Sequence, residues 1–339
     1  MELITAIEIR QMNKERIRRA LQQQEKCIKA DIAKTTKLSM ATCSTALNEM
    51  LKSGEILKVD QTGFSIGRPA DVFTYNPDYL HALALCTTIR KGQNFVEYVI
   101  ADALGHIIYR EKEPIENVTM ELLDALITSV RIQDPQIQAV GLGIPGQVRD
   151  GFIEQCDISS LQQVDFAKVI HEKHGIQVIV ENDMNVITYS LYGKISNHNG
   201  DFATLFFPDQ PNSYVGSGYI VNGHLLKGST MLAGELRHAA NAFGISLDQQ
   251  QAILSDRPAF LRFVAQMVVL ISCTINPPCL VIMGNNLSQD ELKTIRNQCL
   301  QFMQEGDLPI LDINNQTFEE YAEGLLRLTL DCSLFPMLM

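Results

Sequence analysis

Apolar positions recur at helical spacing through the first fifty residues. Over residues 12–23, Met12, Ile17, Ala20 and Leu21 share one face and Arg16, Arg18 and Arg19 take the others, a period that predicts an amphipathic helix. A second, shorter helix is expected over 29–35 with Ile32 and Ala33 inward, and a tight turn at Lys37 and Leu38 leads to Ser39. Ser39 suits a helix N-cap, because its hydroxyl can accept from an otherwise unpaired first-turn amide. The third helix then covers 40–52, with Cys43, Ala46, Leu47 and Met50 inward and Ala41, Thr42, Ser44, Thr45 and Asn48 outward. Gly54 ends it. Residues 56–59 and 72–75 read as two strands around a loop at 62–70 that contains Gly, Pro and Arg.

Three helices and a hairpin predict a winged helix-turn-helix over residues 1–78. Charge changes how that unit is read. The whole chain carries a net charge of -11, which by itself argues against nucleic acid. Residues 10–59, however, hold 11 Lys and Arg against 5 Asp and Glu, a balance of +6 that leaves -17 elsewhere. A small basic reader on a large acidic body follows. In such a reader the third helix enters the major groove: Ser39, Thr42, Ser44, Thr45 and Asn48 face base edges, while Lys34, Lys37, Lys52, Lys58 and Arg68 hold phosphates. The pattern also admits a small helical protein-interaction domain whose basic residues form a solvated face.

From about residue 81 the pattern changes. Residues 82–88, 95–101 and 106–110 read as a strand meander with turns at Lys91-Gly92 and Leu104-Gly105, and 140–144 and 178–180 are apolar, buried-strand runs. Alternating strands and helices with polar groups at strand ends favour an open α/β body over 79–339. Asn222-Gly223 between apolar runs predicts a type I′ hairpin turn. No uninterrupted apolar run approaches the length of a spanning helix, and the amino terminus lacks the charge-then-apolar order of a signal peptide. A cytoplasmic protein with no membrane partner is expected. Its eight cysteines, Cys27, Cys43, Cys86, Cys156, Cys273, Cys279, Cys299 and Cys332, show no C-x-C or C-x-x-C pair, so they read as reduced thiols, with no metal expected.

Four segments now carry a resemblance. Gly141-Leu142-Gly143-Ile144-Pro145-Gly146-Gln147-Val148 resembles the G-x-G-x-P-G-x-V stretch of the ROK family (repressors, open reading frames and sugar kinases), and Val180-Glu181-Asn182-Asp183-Met184-Asn185 its V-E-N-D-A-N segment. Val215-Gly216-Ser217-Gly218-Tyr219-Ile220-Val221-Asn222-Gly223, with Ala233-Gly234-Glu235-Leu236-Arg237-His238 beyond it, resembles I-G-A-G-I-I-I-N-G and A-G-E-x-G-H. Ile275-Asn276-Pro277 through Ile282-Met283-Gly284 resembles the N-P-x-x-I-x-x-G-G stretch near the nucleotide base. They stand in the family's order behind a segment ending in Gly67-Arg68-Pro69.

The resemblance implies an α/β fold in which the winged helix-turn-helix precedes a two-lobed actin/hexokinase-like body. It also implies a ligand site at Asn182, Asp183, Glu235 and His238, with Asp183 matching the general base of the family's kinases. Read from the residues alone, Asn182 and Asp183 could equally be helix caps, and Glu235 and His238 a solvated surface pair one helical turn apart.

The kinase pattern is broken where phosphates would be held. Leu85-Cys86-Thr87-Thr88-Ile89-Arg90 stands in place of the family's Asp and Gly-Gly-Thr loop, Asn212-Ser213-Tyr214 in place of Gly-Thr-Gly, and Asn285 and Asn286 in place of glycines at the base loop. Residues 239–272 contain no cysteine to join His238 around zinc, and Arg237 replaces the glycine before it, where it can alter or fill the pocket. The expectation is therefore a DNA-binding regulator without catalysis or cofactor, acting as a homodimer or homotetramer on operator DNA in response to a sugar effector. A sugar kinase fused to a DNA-binding domain and a ligand-blind DNA-binding dimer are the alternatives.

Overall fold

The computed structural model describes residues 5–59, 70–194, 200–208 and 215–336. Helix α1 (Ala6–Gln23) begins six residues earlier than the apolar period predicts, because Thr5 and Glu8 form a capping box that satisfies the first-turn amides. A two-residue strand β1 (Cys27–Ile28) follows, then α2 (Lys29–Thr36) and α3 (Met40–Lys52). Lys37 takes the left-handed conformation (φ 57°) that turns the chain between them, and the Ser39 hydroxyl accepts from the Thr42 amide at 3.1 Å to cap α3. Strands β2 (Ile56–Val59) and β3 (Val72–Tyr75) fall where the alternation places them and pair antiparallel, with β1 on the far side of β3. The predicted loop at 62–70 lies outside the described residues except for Ala70.

This unit shares its core with the rest of the chain. Ile17, Leu21, Ile32, Leu47, Met50, Phe73 and Tyr75 pack in one cluster with Leu330, Leu334 and Phe335 from the far end of the sequence. Arg18, expected on an outward face, is buried there: it pairs with Glu55, donates to the Leu334 carbonyl and lies 5.6 Å from the Phe335 ring centroid. The face that would be solvated on an isolated helix is covered by the last helix of the body.

The first lobe contains β4 (His81–Arg90), β5 (Gln93–Ala101), β6 (Ile107–Ile115), α4 (Met120–Gln133), β7 (Ile137–Ile144), a small sheet of β8 (Gly146–Arg149), β9 (Phe152–Cys156) and β10 (Val164–Asp165), then α5 (Phe166–His174) and β11 (Gln177–Asn182). The main sheet has the order β11-β7-β4-β5-β6. The meander is as expected, although β6 runs on to Ile115. The second lobe follows with α6 (Asp183–Lys194), β12 (Phe202–Phe206), β13 (Gly216–Val221), β14 (His224–Leu225), α7 (Leu236–Ala242), α8 (Leu247–Ser255), α9 (Arg257–Thr274), β15 (Cys279–Met283), α10 (Gln289–Cys299), β16 (Ile310–Asn314) and α11 (Thr317–Leu334). Its sheet, β14-β13-β12-β15-β16, repeats the order of the first, with three parallel strands and an antiparallel hairpin. Asn222 and Gly223 both have positive φ (53° and 82°), as a type I′ turn requires.

Helices α6 and α11 pack against each other between the two sheets, around Met184, Ile187, Tyr321 and Leu325. Helix α9 is long and apolar enough to cross a membrane, but its Phe260, Val264, Val268 and Ile271 are the core of the second lobe.

Candidate functional site

Strands β7 and β11 run parallel and in register, so Ile144 and Asn182 end side by side, and the chain turns from Asn182 directly into α6. Asn182 Nδ2 donates to the Gly146 carbonyl at 2.8 Å, and Asn182 Oδ1 accepts from the Asn185 backbone amide at 3.1 Å. Asn182 thus makes the capping contacts of the first turn of α6 and ties that turn to the strand-end loop. Glu181 is buried and satisfied: Oε1 accepts from the Asn182 amide and from Asn185 Nδ2, each at 2.9 Å, and Oε2 pairs with Lys227 of the second lobe at 2.5 Å.

Asp183 stands differently. Its Oδ1 accepts from the Met184 amide at 2.8 Å, yet burial pushes its pKa up to about 7, and the neighbouring negative charges of Asp157 and Glu235 push the same way. Asp157 is itself raised by burial, an effect that the Arg237 guanidinium opposes. Arg237 crosses between the lobes, donating to Gln155 Oε1 on β9 at 3.0 Å while its Nε lies 3.2 Å from Glu235 Oε2. Asp157, Asp183, Glu235 and Arg237 therefore form one electrostatic group at the mouth between the lobes. His238 is exposed; its backbone amide bonds to the Glu235 carbonyl at 3.1 Å, but no described contact brings its ring into this group.

Three contributors went unread in the sequence. Gln155 and Asp157 flank the end of a short strand and carry no motif. Tyr321, fully buried on α11, donates to the Thr87 carbonyl at 3.5 Å and lies against Gly143, where any Cβ would meet its ring. The middle glycine of the strand-end motif is thus required by close packing of α11.

The positions that match phosphate loops have other uses here. Residues 85–90 are continuous strand, paired with β5 as far as Arg90–Gln93, with the Thr87 hydroxyl donating to the Gly143 carbonyl at 3.0 Å. Asn285 and Asn286 both adopt positive φ (54° and 44°), and their carbonyls accept from Arg257 at 2.9 and 3.4 Å. Residues 212–214 lie outside the described residues. The arrangement offers a carboxyl that titrates near neutrality beside hydrogen-bonding groups suited to hydroxyls.

A second candidate surface lies on the N-terminal unit. Lys34, Lys37, Ser39, Thr45, Asn48 and Lys52 are exposed, and Thr42 and Ser44 half-buried, along the α2–α3 turn and the outer face of α3. Ser39 is engaged in capping and its hydroxyl lies 2.9 Å from Thr42 Oγ1; the Thr45 hydroxyl donates to the Ala41 carbonyl at 3.2 Å. Lys58 pairs with Asp71 at 2.6 Å, so it meets phosphate only in competition with that carboxylate. Arg10 and Lys14 both pair with Glu49 and so clip α1 to α3. Arg68 lies outside the described residues.

Comparison with known proteins fits this architecture. The model of the ROK family matches residues 86–250. The xylose repressor of Bacillus subtilis (strain 168) is 22% identical over 249 residues, a match that spans 70% of this chain and 62% of that protein. A ROK family transcriptional regulator described as a homolog of the E. coli MLC protein has the same fold over 97% of this chain and 99% of its own, with a TM-score of 0.71 at 16% identity. The ROK hexokinase of Thermus thermophilus covers 73% of this chain and 97% of its own, with a TM-score of 0.53 at 17% identity.

Proposed function

We propose that this chain, which carries a ROK family domain over residues 86–250, is a cytoplasmic DNA-binding transcriptional regulator whose two-lobed body senses a sugar and performs no phosphoryl transfer. The carrying observation is the N-terminal unit: two helices joined by a turn at Lys37, the second capped by Ser39 and presenting small polar side chains beside lysines. That unit is a winged helix-turn-helix, with α3 in the major groove, Thr42, Ser44, Thr45 and Asn48 at base edges, and Lys34, Lys37, Lys52 and Arg68 on phosphates. The likeness to a protein named as a xylose repressor supports a pentose or related sugar as effector. Asn182, Asp183, Glu235 and His238 are its proposed contacts. A homodimer or homotetramer presents paired recognition helices to a palindromic operator.

Helix α11 supplies the mechanical link. Near its start, Tyr321 lies against Gly143 and Thr87 behind the Asp183 cleft; at its end, Leu334 and Phe335 meet Arg18 of the N-terminal unit. A sugar that draws the lobes together moves α11 against α1, and it acts only through its differential affinity for the two arrangements.

One observation favours a second reading, a sugar kinase fused to a DNA-binding domain: a carboxyl with a pKa of about 7 is well tuned for a general base. The continuous β4 and the Asn285–Asn286 turn weigh against it. Selection of genomic fragments by the full chain, followed by calorimetry with D-xylose and other monosaccharides, tests the proposal. Enrichment of one palindromic sequence and release of that fragment by a sugar are expected. Absence of any enriched sequence, or ATP-dependent turnover abolished by Asp183→Asn, overturns it.

A further inference from the structure

Glu181 lies one residue before Asn182 on β11 and is 3% exposed. In the parallel ladder it stands opposite Gly143, whose open side is filled by the Tyr321 ring, so its side chain turns toward the helical layer between the lobes. Its two oxygens have different tasks. Oε1 accepts from the Asn182 backbone amide and from Asn185 Nδ2, each at 2.9 Å, and so holds the turn from β11 into α6. Oε2 pairs with Lys227 at 2.5 Å. A glutamine would set an NH2 group against one of these donors, so a carboxylate is what accepts at both ends.

Lys227 follows β14 and opens the loop that leads to Glu235. The Ala233 amide donates to the Lys227 carbonyl at 3.2 Å and closes that loop, and the Ser217 amide donates to the Gly234 carbonyl at 3.1 Å, laying its far end on β13. Gly234 has φ 94°, and a Cβ there would meet the Ser217 carbonyl oxygen, so the approach is too close for a side chain. These bonds seat Glu235 within its own lobe. The Lys227 ammonium adds a hold on the other lobe, where a side chain 42% exposed reaches a carboxylate 4% exposed. It also passes the last turns of α11: the Cys332 thiol, pushed up to about 11 by burial, is drawn down by Lys227 and raised by Glu181. Taking away the ammonium would leave a buried carboxylate without its cation, whereas taking away both charges leaves neutral groups of similar shape.

We propose that Glu181 is a positioning residue for both halves of the cleft: through Oε1 it sets Asn182 and Asp183, and through Lys227 it sets the loop that carries Glu235. One carboxylate thus holds the two halves in one geometry. Its part in ligand sensing rests on the reading of Asn182, Asp183 and Glu235 as sugar contacts; the coupling itself is read without any ligand.

The test is hydrogen exchange of the full chain, followed peptide by peptide in the wild type, Lys227→Met, Lys227→Arg and the double variant Glu181→Gln with Lys227→Met. In Lys227→Met the stranded carboxylate turns toward water and releases its donors, so amides in 182–186 and in 231–238 should both exchange about tenfold faster or more, while those of α9 keep wild-type rates. Lys227→Arg should restore both segments. The double variant strands no charge and keeps an acceptor for Asn182 and Asn185, so 182–186 should return to near wild type and 231–238 should stay fast. If Lys227→Met does not fold, Glu181→Ala with Lys227→Met, which strands no charge and removes the acceptor, takes its place: both segments must then exchange faster, and protection of either overturns the proposal. A rise confined to 231–238 in Lys227→Met makes Lys227 a brace of its own loop and overturns it too, as does an equal rise in α9 or wild-type exchange of 231–238 in the first double variant. Calorimetry with D-xylose reads the ligand role. Where it binds the wild type, Lys227→Met should weaken it about tenfold or more and Lys227→Arg should restore it; unchanged affinity refutes positioning. D-xylose that fails to bind the wild type counts against the sugar reading, and the exchange pattern still decides the coupling.

Discussion

Asp183→Asn should stabilise the fold, and by an amount that depends on pH. Burial, with Asp157 and Glu235 nearby, moves the carboxyl from an ordinary 3.8 to about 7, so the folded state takes up a proton that the unfolded chain has already released. The sign follows: a raised carboxyl costs nothing below the unfolded value, costs progressively more as pH rises from about 4 to about 7, and levels off above. At about 1.4 kcal/mol per unit, the ceiling is about 4 kcal/mol at pH 8 and between 1 and 2 kcal/mol at pH 5. Asparagine keeps the Oδ1 acceptor for the Met184 amide at nearly the same volume, so the substitution removes charge without removing that hydrogen bond. Urea unfolding of both proteins at pH 5 and pH 8 measures the effect. The gain should be larger at pH 8, and the wild type should lose stability across that interval relative to the variant. A variant equally or less stable at pH 8, or a gain independent of pH, refutes the reasoning and leaves Asp183 as an ordinary first-turn acid.

Arg18→Met should destabilise by about 3–5 kcal/mol, because Glu55 is left charged and buried; the double variant with Glu55→Gln should recover most of the loss in denaturant titrations, and equal losses for both would show that packing, not charge, was removed. Gly143→Ala should cost about 1–3 kcal/mol through collision with the Tyr321 ring, and an unchanged melting temperature would mean that α11 is less tightly seated than its contacts indicate. On selected DNA, Thr45→Ala and Asn48→Ala should relax preference at particular positions by about 1–3 kcal/mol, while Lys37→Ala should weaken all sequences alike and lower the salt slope by about one. Uniform loss from all three would remove α3 from the groove.

Where signals are local, the sequence was sufficient. The bounds of α3, β2 and β3 match because a serine cap, Gly54 and two-residue alternation act within a few positions of what they terminate. The start of α1 was missed although its signal was present: Thr5 and Glu8 have capping-box spacing, but they precede the apolar stripe that was used to find the helix. The two-residue β1 is too short for any period to register. Arg18 was misassigned for a different reason. Helical periodicity says which face differs from the others, but not whether a polar face will be covered, and here the cover comes from Leu334, 316 residues away.

The same division runs through the cleft. Asn182 and Asp183 were legible because they sit in one short segment at a strand end, where Asn182 makes the cap contacts and burial raises the Asp183 carboxyl. Those surroundings were not legible. Gln155 and Asp157 come from one lobe and Glu235 and Arg237 from the other, so the bond from Arg237 to Gln155 spans 82 residues of sequence and exists only once the lobes face each other. Arg237, visible as a departure from glycine, gave no sign of its partner. In the fold it ties Glu235 to the opposite lobe beside a carboxyl already short of positive charge. A ligand entering the proposed site would meet the Arg237 guanidinium either as a contact or in competition with Gln155.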